Sequence, residues 1–428
     1  MVSRLLLFAA TTGYQIRVFA DAARKLDVEL TLATDRCHVL EDPWGDRAVP
    51  VKFGDLPASL EALRGRRFDA VAAVGDAPAV LAADVAGALG IPFHPPAAVR
   101  ACHDKYLARQ LFQAAGLPVP EFFRVKLTDG PDAASLRAPY PCVLKPLALS
   151  ASRGVIRANH PYEFRAAFAR IKTLLESSPD IRMAREEHSR YLQVETYIPG
   201  REFAVEGIVT KGAPRILAIF DKPDGLEGPF FEETLYVTPS RESGVAQQAM
   251  RQAVERAVRA LGLYHGPFHA ELRLNDTGVW MLEVAARPIG GLCSKALRFG
   301  DGMPLEELVL RHAIGEDIAA LQPSDRASGV MMIAIPRGGL YEGVAGLDQA
   351  REGAGVDDAI ITAKVGQILV PLPEGASYLG FIFASATDPT EVERALRLAH
   401  AKLSFRIAPS LPIMGAAGVM GAAGAAVP

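Results

Sequence analysis

Short apolar runs alternate with amphipathic stretches through the first hundred residues. Arg4–Ala10 reads as a buried strand, Tyr14–Leu26 as a helix, Glu29–Ala33 as a strand and Ala48–Val51 as a short strand. Leu56–Arg64 is helical, Phe68–Val74 a strand and Pro78–Leu89 a helix, with Ile91-Pro92-Phe93 closing the unit. Strands and helices alternating at this spacing predict a parallel sheet with helices on its faces. The apolar run after Arg4 is short for a signal peptide and is followed at once by Thr-Thr-Gly-Tyr-Gln, so a first strand is the reading taken. The turn at 9–14 has one glycine, Gly13, and lacks the GxGxxG pattern that a dinucleotide fold uses at this point.

From Ala101 the texture changes. A helix over His103–Ala115 is stopped by Gly116, Pro118 and Pro120. Short strands follow at 142–145, 154–156 and 191–195, with a helix at Pro161–Glu176 between them. Phe203–Val209 and Arg215–Asp221 read as an antiparallel pair, Ser243–Leu261 as a helix, and 304–314 as helical. Phe268–Leu274 and Val279–Val284 form a predicted hairpin about Asn275-Asp276-Thr277-Gly278. Strands recur at Gly329–Ile335, Ile360–Ala363 and Leu379–Ala384, followed by a helix at Pro389–Lys402. No internal repeat is evident.

Composition narrows the class. The chain has 428 residues, with 46 basic against 49 acidic side chains and a net charge of −3. That balance excludes a basic nucleic-acid binder and an acidic tail. The four cysteines, Cys37, Cys102, Cys142 and Cys293, are far apart with no CxxC, which fits a reducing, cytoplasmic setting and no disulfide framework. The tail from 412 to 428 is built of Gly and Ala, too weakly apolar for a membrane span, and reads as a disordered end.

The chemistry concentrates on a few strands. Glu271 and Glu283 lie on successive strands of the hairpin, among Phe268, Leu272, Trp280 and Leu282. Carboxylates in apolar strands need partners. Two of them converging make either a hard-oxygen site for Mg²⁺ and phosphate or a solvated pair on an amphipathic hairpin. Arg287, four residues on, is either a clamp for a phosphate or carboxylate or an ion pair with Glu283. Gly290 and Gly291 permit close backbone approach to a ligand, or a simple turn. Lys145 ends a buried strand and Lys105 opens a helix; as point charges both suit phosphate oxygens, and both also read as ordinary surface lysines. The loop Ser150-Ala151-Ser152-Arg153-Gly154 is small and polar, a phosphate cradle or a plain hairpin loop; GxxxxGK[ST] is absent. The exit Glu195-Thr196-Tyr197-Ile198 can offer backbone to an adenine edge and Glu202 can take ribose hydroxyls, or the segment is a turn with two solvated acids.

The order of these pieces, a lysine, a strand lysine, a small-residue loop, Glu-x-x-Ile-x-Gly-x-Glu, then Glu and Glu-x-x-x-Arg, resembles the ATP-grasp superfamily over roughly residues 1–315. Phe220-Asp221-Lys222-Pro223, Phe230-Phe231-Glu232-Glu233-Thr234 and Ala286-Arg287-Pro288-Ile289-Gly290-Gly291-Leu292 are similar to its carboxylate–amine ligase branch, including L-amino-acid (dipeptide) ligases. The resemblance implies a mixed α/β and α+β fold. A Rossmann-like pre-ATP-grasp domain would span 1–100. A two-subdomain ATP-grasp domain would span 101–315, with its ATP-binding lid at roughly 140–200. A small α+β extension would span 316–410, ahead of a disordered tail at 411–428.

The resemblance also implies roles. Lys105, Lys145 and the loop Ser150, Ser152 and Gly154 would bind ATP phosphates. Glu195, Tyr197 and Ile198 would sit at the adenine and Glu202 at the ribose. Lys222 would reach the phosphates, and Glu271 and Glu283 would ligate Mg²⁺, with Mn²⁺ as the alternative. Arg287 would stabilise an acyl-phosphate and, with Glu283 and Lys222, form the catalytic set. Glu233, Gly290 and Gly291 would face the substrate. His269 would be a base for the amine or a packed strand histidine. The expected partners are a small carboxylate and a small amine, with no nucleic acid or membrane, in a homodimer. Many such enzymes read Glu-x-Asn-x-Arg where this chain has Ala285, so one metal ligand of that pattern is absent and Glu283 must do more of the bridging. The readings carried forward beside an amide-forming ligase are a ligase or carboxylase on another metabolite and a non-catalytic ATP-binding protein.

Overall fold

The run Leu5–Ala9 becomes a central strand with both faces covered, which is why it is apolar without alternation. The structure, a computed structural model, describes residues 2–10, 15–35, 47–147, 149–177 and 187–409. The Gly13 turn, Cys37 and the Gly/Ala tail lie outside them. Strands β1 (Arg4–Ala9), β2 (Glu29–Thr34), β3 (Ala48–Pro50) and β4 (Ala70–Val74) form a parallel sheet in the order β3-β2-β1-β4. The order reverses between β1 and β4. In such sheets the crevice beyond the carboxyl ends of the strands at that reversal is where ligands bind. Ala10, Gly75 and Asp76 lie there, with Asp76 opening the helix Asp76–Leu89.

A second, antiparallel sheet comprises β5 (Phe122–Lys126), β6 (Cys142–Pro146), β7 (Ile156–Ala158) and β8 (Tyr191–Thr196), ordered β5-β8-β6-β7. The helix Pro161–Ser177 covers it, burying Phe164, Phe168 and Ile171 against Leu144, Leu192 and Val194. This unit carries Lys145 and Glu195 on neighbouring strands and the 150–154 loop between β6 and β7.

The remaining strands are β9 (Arg201–Thr210), β10 (Ala213–Asp221), β11 (Leu235–Thr238), β12 (Gly266–Asn275), β13 (Gly278–Ala285), β14 (Arg298–Phe299), β15 (Met303–Pro304), β16 (Ala327–Ile333), β17 (Gly339–Ala345), β18 (Val356–Ile361), β19 (Ile368–Leu369), β20 (Gly380–Ala386) and β21 (Ser404–Ala408). Eight of them make one sheet, β13-β12-β9-β10-β11-β16-β20-β18, with every neighbouring pair antiparallel. The sheet runs across the boundary expected near residue 315, so strands of the C-terminal segment extend the sheet that carries Glu271 and Glu283.

The expected hairpin is present, with Asn275 opposite Gly278. The strand β11 and the helix Pro96–His103 were not expected. In β11 all four residues are buried, so its pattern carries no alternation to read. The helix opens on Pro96, with Pro95 as its N-cap, and lies where the sequence texture places a boundary. Among the described residues no helix is long and apolar enough to cross a membrane.

Candidate active site

A cavity of about 370 Å³ opens where the three large sheets meet. It is lined by Lys105, Lys145, Ser150, Ser152, Glu195, Tyr197, Ile198, Glu202, Glu233, His269, Glu271, Glu283, Arg287, Gly290 and Gly291. Two of the expected site residues, Lys222 and Gly154, do not line it. Gly154 takes φ +72°, and a Cβ there would lie 2.7 Å from Pro146, so it shapes the loop from behind. Lys222 is buried directly behind the wall.

At one end Glu195 is a buried anchor for two cations. Arg109 Nε donates to Glu195 Oε2 at 3.1 Å, Gln193 Nε2 donates to it at 2.7 Å, and Lys145 Nζ bonds Oε1. Burial alone would raise this carboxyl; the Arg109 and Lys145 charges outweigh it and hold it down to about 2. The same burial lowers the Lys145 ammonium, and Glu195 opposes that. Arg109 Nη1 also donates to Met281 O at 2.6 Å, tying the helix Lys105–Ala114 to β13. Lys105 Nζ donates to Leu149 O at 2.7 Å and pairs with Glu283 Oε2 at 3.0 Å. Ala151 and Ser152 both take positive φ, a constrained conformation in the loop that faces the two lysines. Tyr197 N–H donates to Pro141 O, and Arg273 Nη1 donates to Ile198 O.

In the middle, Glu271 and Glu283 are direct cross-strand partners. Glu271 also meets Glu202 and Glu233, with one oxygen from each within 4.8 Å of the others. Lys222 Nζ joins this group, bonded to Glu202 Oε1 at 2.9 Å, to Glu233, and 3.5 Å from Glu271. Burial works against the Lys222 charge, yet the three carboxylates push its pKa well above the ordinary value. Burial and the neighbouring Glu271 raise Glu233, while Lys222 and His269 overcome burial to hold Glu271 well down. Arg273 Nε donates to the other Glu202 oxygen at 2.9 Å. Hard carboxylate oxygens facing one another across a hairpin, on the wall of a cavity that also holds lysines, are a donor set that fits Mg²⁺.

His269 Nδ1 meets the fully buried Glu206 Oε1 at 2.5 Å, and Nε2 meets Glu271 Oε1 at 3.4 Å. Against burial, these carboxylates raise the imidazole to about 9. The paired carboxylates favour the charged imidazolium, which donates from both nitrogens. Arg287 forms a two-point ion pair with Asp76, at 2.8 and 3.2 Å; of the two alternatives read from sequence, the ion pair with Glu283 is not the one it makes. Opposing burial, Asp76 raises the guanidinium, and Arg287 holds Asp76 down to about 2.

Sequence reasoning missed Asp76, Arg109, Glu206 and Arg273. Asp76 had a signal in its position directly after a parallel strand and a glycine. The others are charged residues inside apolar strands or a helix, whose partners come from elements far away in sequence. Met332, Tyr378 and Phe381 also line the cavity, from the C-terminal segment.

Comparison with known proteins adds to this geometry. Residues 138–296 match the ATP-grasp domain, and residues 331–408 match the L-amino acid ligase C-terminal domain 2. The crystal structure of L-amino acid ligase from Bacillus licheniformis superposes with a TM-score of 0.78 at 25% identity, over 95% of this chain and 99% of that one. Carnosine synthase 1 of Gallus gallus is 28% identical over 308 residues, 68% of this chain and 33% of that protein. D-alanine–D-alanine ligase B of Chromobacterium violaceum is 25% identical over 271 residues, 60% of this chain and 84% of that protein.

Proposed function

We propose that this chain, an ATP-grasp carbon–nitrogen ligase, joins the carboxylate of one small molecule to the amine of another through an acyl-phosphate, with an amino acid among its substrates. The observation that carries this reading is the convergence of Lys105, Lys145, the register-paired Glu271 and Glu283, and Arg287 on one cavity.

A carboxylate is a poor acyl donor because oxide would have to leave. Attack of its oxygen on the γ-phosphorus of ATP gives an acyl-phosphate and ADP. The amine then displaces phosphate through a tetrahedral intermediate, and an amide forms. Catalysis here is mostly positioning and charge compensation. Lys105 and Lys145 are the charges available to phosphate oxygens, beside the Ser150–Gly154 loop. Tyr197 and Ile198 offer backbone to the adenine and Glu202 its carboxylate to the ribose, stiffened by Lys222 and Arg273. Arg287, fixed by Asp76, would stabilise the acyl-phosphate and the tetrahedral oxyanion. Glu233 suits a substrate ammonium, and Gly290 and Gly291 let the backbone approach the substrate.

Glu271 and Glu283 would hold Mg²⁺, or Mn²⁺, which when bound neutralises phosphate charge. We assign residues 1–100 and 101–315 to the first two units inferred above, and 316–410 to an extension whose strands β16, β18 and β20 continue the sheet of the second. Buried free thiols at Cys102, Cys142 and Cys293 support a reducing cytoplasmic setting, and a homodimer is the assembly to test by light scattering.

The test is turnover of Mg²⁺–ATP with pools of amino acids, resolving ADP from AMP and searching products for loss of water between two acids. ADP and condensed product appearing together, and both lost in Glu283→Gln, are expected. AMP and pyrophosphate would overturn the acyl-phosphate route.

A further inference from the structure

One segment of the C-terminal region touches the site at two places. Its residues 371–375 lie against the lid, and its Ala376 and Tyr378 line the cavity together with Phe381 and Glu233. The contacts with the lid are specific. Arg170, on the helix Pro161–Ser177, grips both Glu374 oxygens at 2.5 and 2.9 Å. Arg153 Nε donates to Glu374 O at 2.8 Å, and Gly154 N–H donates to Pro373 O at 2.8 Å. Arg153 and Gly154 belong to the same loop whose Ser150, Ala151 and Ser152 face Lys105 and Lys145.

The segment is tightly folded. Gly375 N–H closes a turn on Pro371 O at 2.9 Å, and a Cβ at Gly375 would lie 1.8 Å from Val370 O. Ala376 and Tyr378 at the cavity are thus joined through one closed turn to Glu374 and Pro373, which bond Arg153 and Gly154 of the phosphate-facing loop.

We propose that residues 371–378 form a latch that couples occupancy of the substrate end of the cavity to closure of the lid over the nucleotide. Arg170 and Glu374 are its positioning pair; neither lines the cavity. The inference rests on the ligase reading for its chemical consequence. With the latch released, water reaches the acyl-phosphate and hydrolyses it to the free carboxylate and phosphate, so ADP forms without amide.

The experiment compares wild type, Glu374→Ala, Arg170→Glu and the exchanged pair Arg170→Glu/Glu374→Arg. Glu374 and Arg170 are partly exposed, so the variants are expected to fold. One readout is ADP released per condensed product with amino-acid pools. The other needs no ligation: the distance distribution between spin labels at Lys172→Cys and Arg394→Cys with Mg²⁺–ATP. The single variants are expected to raise the ADP ratio several-fold and broaden the distance. The exchanged pair is expected to bring both back to within twofold of wild type. Single variants matching wild type in the distance would overturn the latch. Broadening that the exchanged pair reverses, in a protein that makes no condensed product, would support the latch and refute the ligase reading instead.

Discussion

Replacing Glu195 by glutamine keeps the shape of a carboxyl group and removes its charge. The carboxyl is 2% exposed, and in the folded protein it is held at about 2 against an ordinary 4.5. At about 1.36 kcal/mol per pKa unit, neutralising it near pH 7 costs roughly 3 kcal/mol. That agrees with the ~3–5 kcal/mol seen when one partner of a buried ion pair is removed.

The sign follows from the depressed pKa. The stabilisation is present above pH 4.5 and is lost as pH falls through about 2. Wild type and Glu195→Gln should therefore differ by roughly 3 kcal/mol at pH 7 and converge in acid. Hydrogen exchange of the β8 amides, read against urea, reports this locally even if the domains unfold separately. The variant should also raise the KM for ATP, because Lys145 and Arg109 lose the carboxylate that positions them. A difference below about 1 kcal/mol, or one that does not shrink in acid, would refute the reasoning.

Four further outcomes are expected. Glu283→Gln should abolish turnover with little change in circular dichroism, and wild-type turnover in that variant would remove Glu283 from the site. Asp76→Asn should lower kcat with a smaller change in the KM for ATP, since it frees Arg287 from its two-point anchor; an unchanged kcat would make the pair purely structural. His94 and His312 are buried neutral and held at about 4 and about 3, burial being the main cause in each. At these two histidines the unfolded chain therefore binds more protons than the folded one below pH 6.5, and each removes up to roughly 1.4 kcal/mol of stability per pH unit as pH drops toward 4; His312→Gln should make the stability profile shallower than that of wild type by about that amount, and superimposable profiles would contradict it. Gly207→Ala should destabilise by about 3 kcal/mol or more, because a Cβ there would lie 2.1 Å from the Phe268 ring and 2.8 Å from Arg215 O; a melting temperature equal to wild type would show that Phe268 has room to move.

The pattern of the chain by itself determined the parallel N-terminal sheet, the hairpin that sets Glu271 against Glu283, and the ordered set of lysines, loop and carboxylates. These are local matters: periodicity, turn residues and charges in apolar strands are all legible within a few residues. The tertiary structure decided which charges meet. Arg287 pairs with Asp76, 211 residues away, and not with Glu283. Arg109 finds Glu195 across 86 residues, and Lys222 gathers Glu202, Glu233 and Glu271 from three different segments. His269 meets Glu206 on the adjacent strand, a contact that spacing could not disclose. The role of the C-terminal segment was equally hidden, because its strands join a sheet begun more than a hundred residues earlier and its 371–378 turn reaches back to the lid. Electrostatic energies depend on separation and burial, and both are set by packing between elements whose order along the chain says nothing of their distance in space.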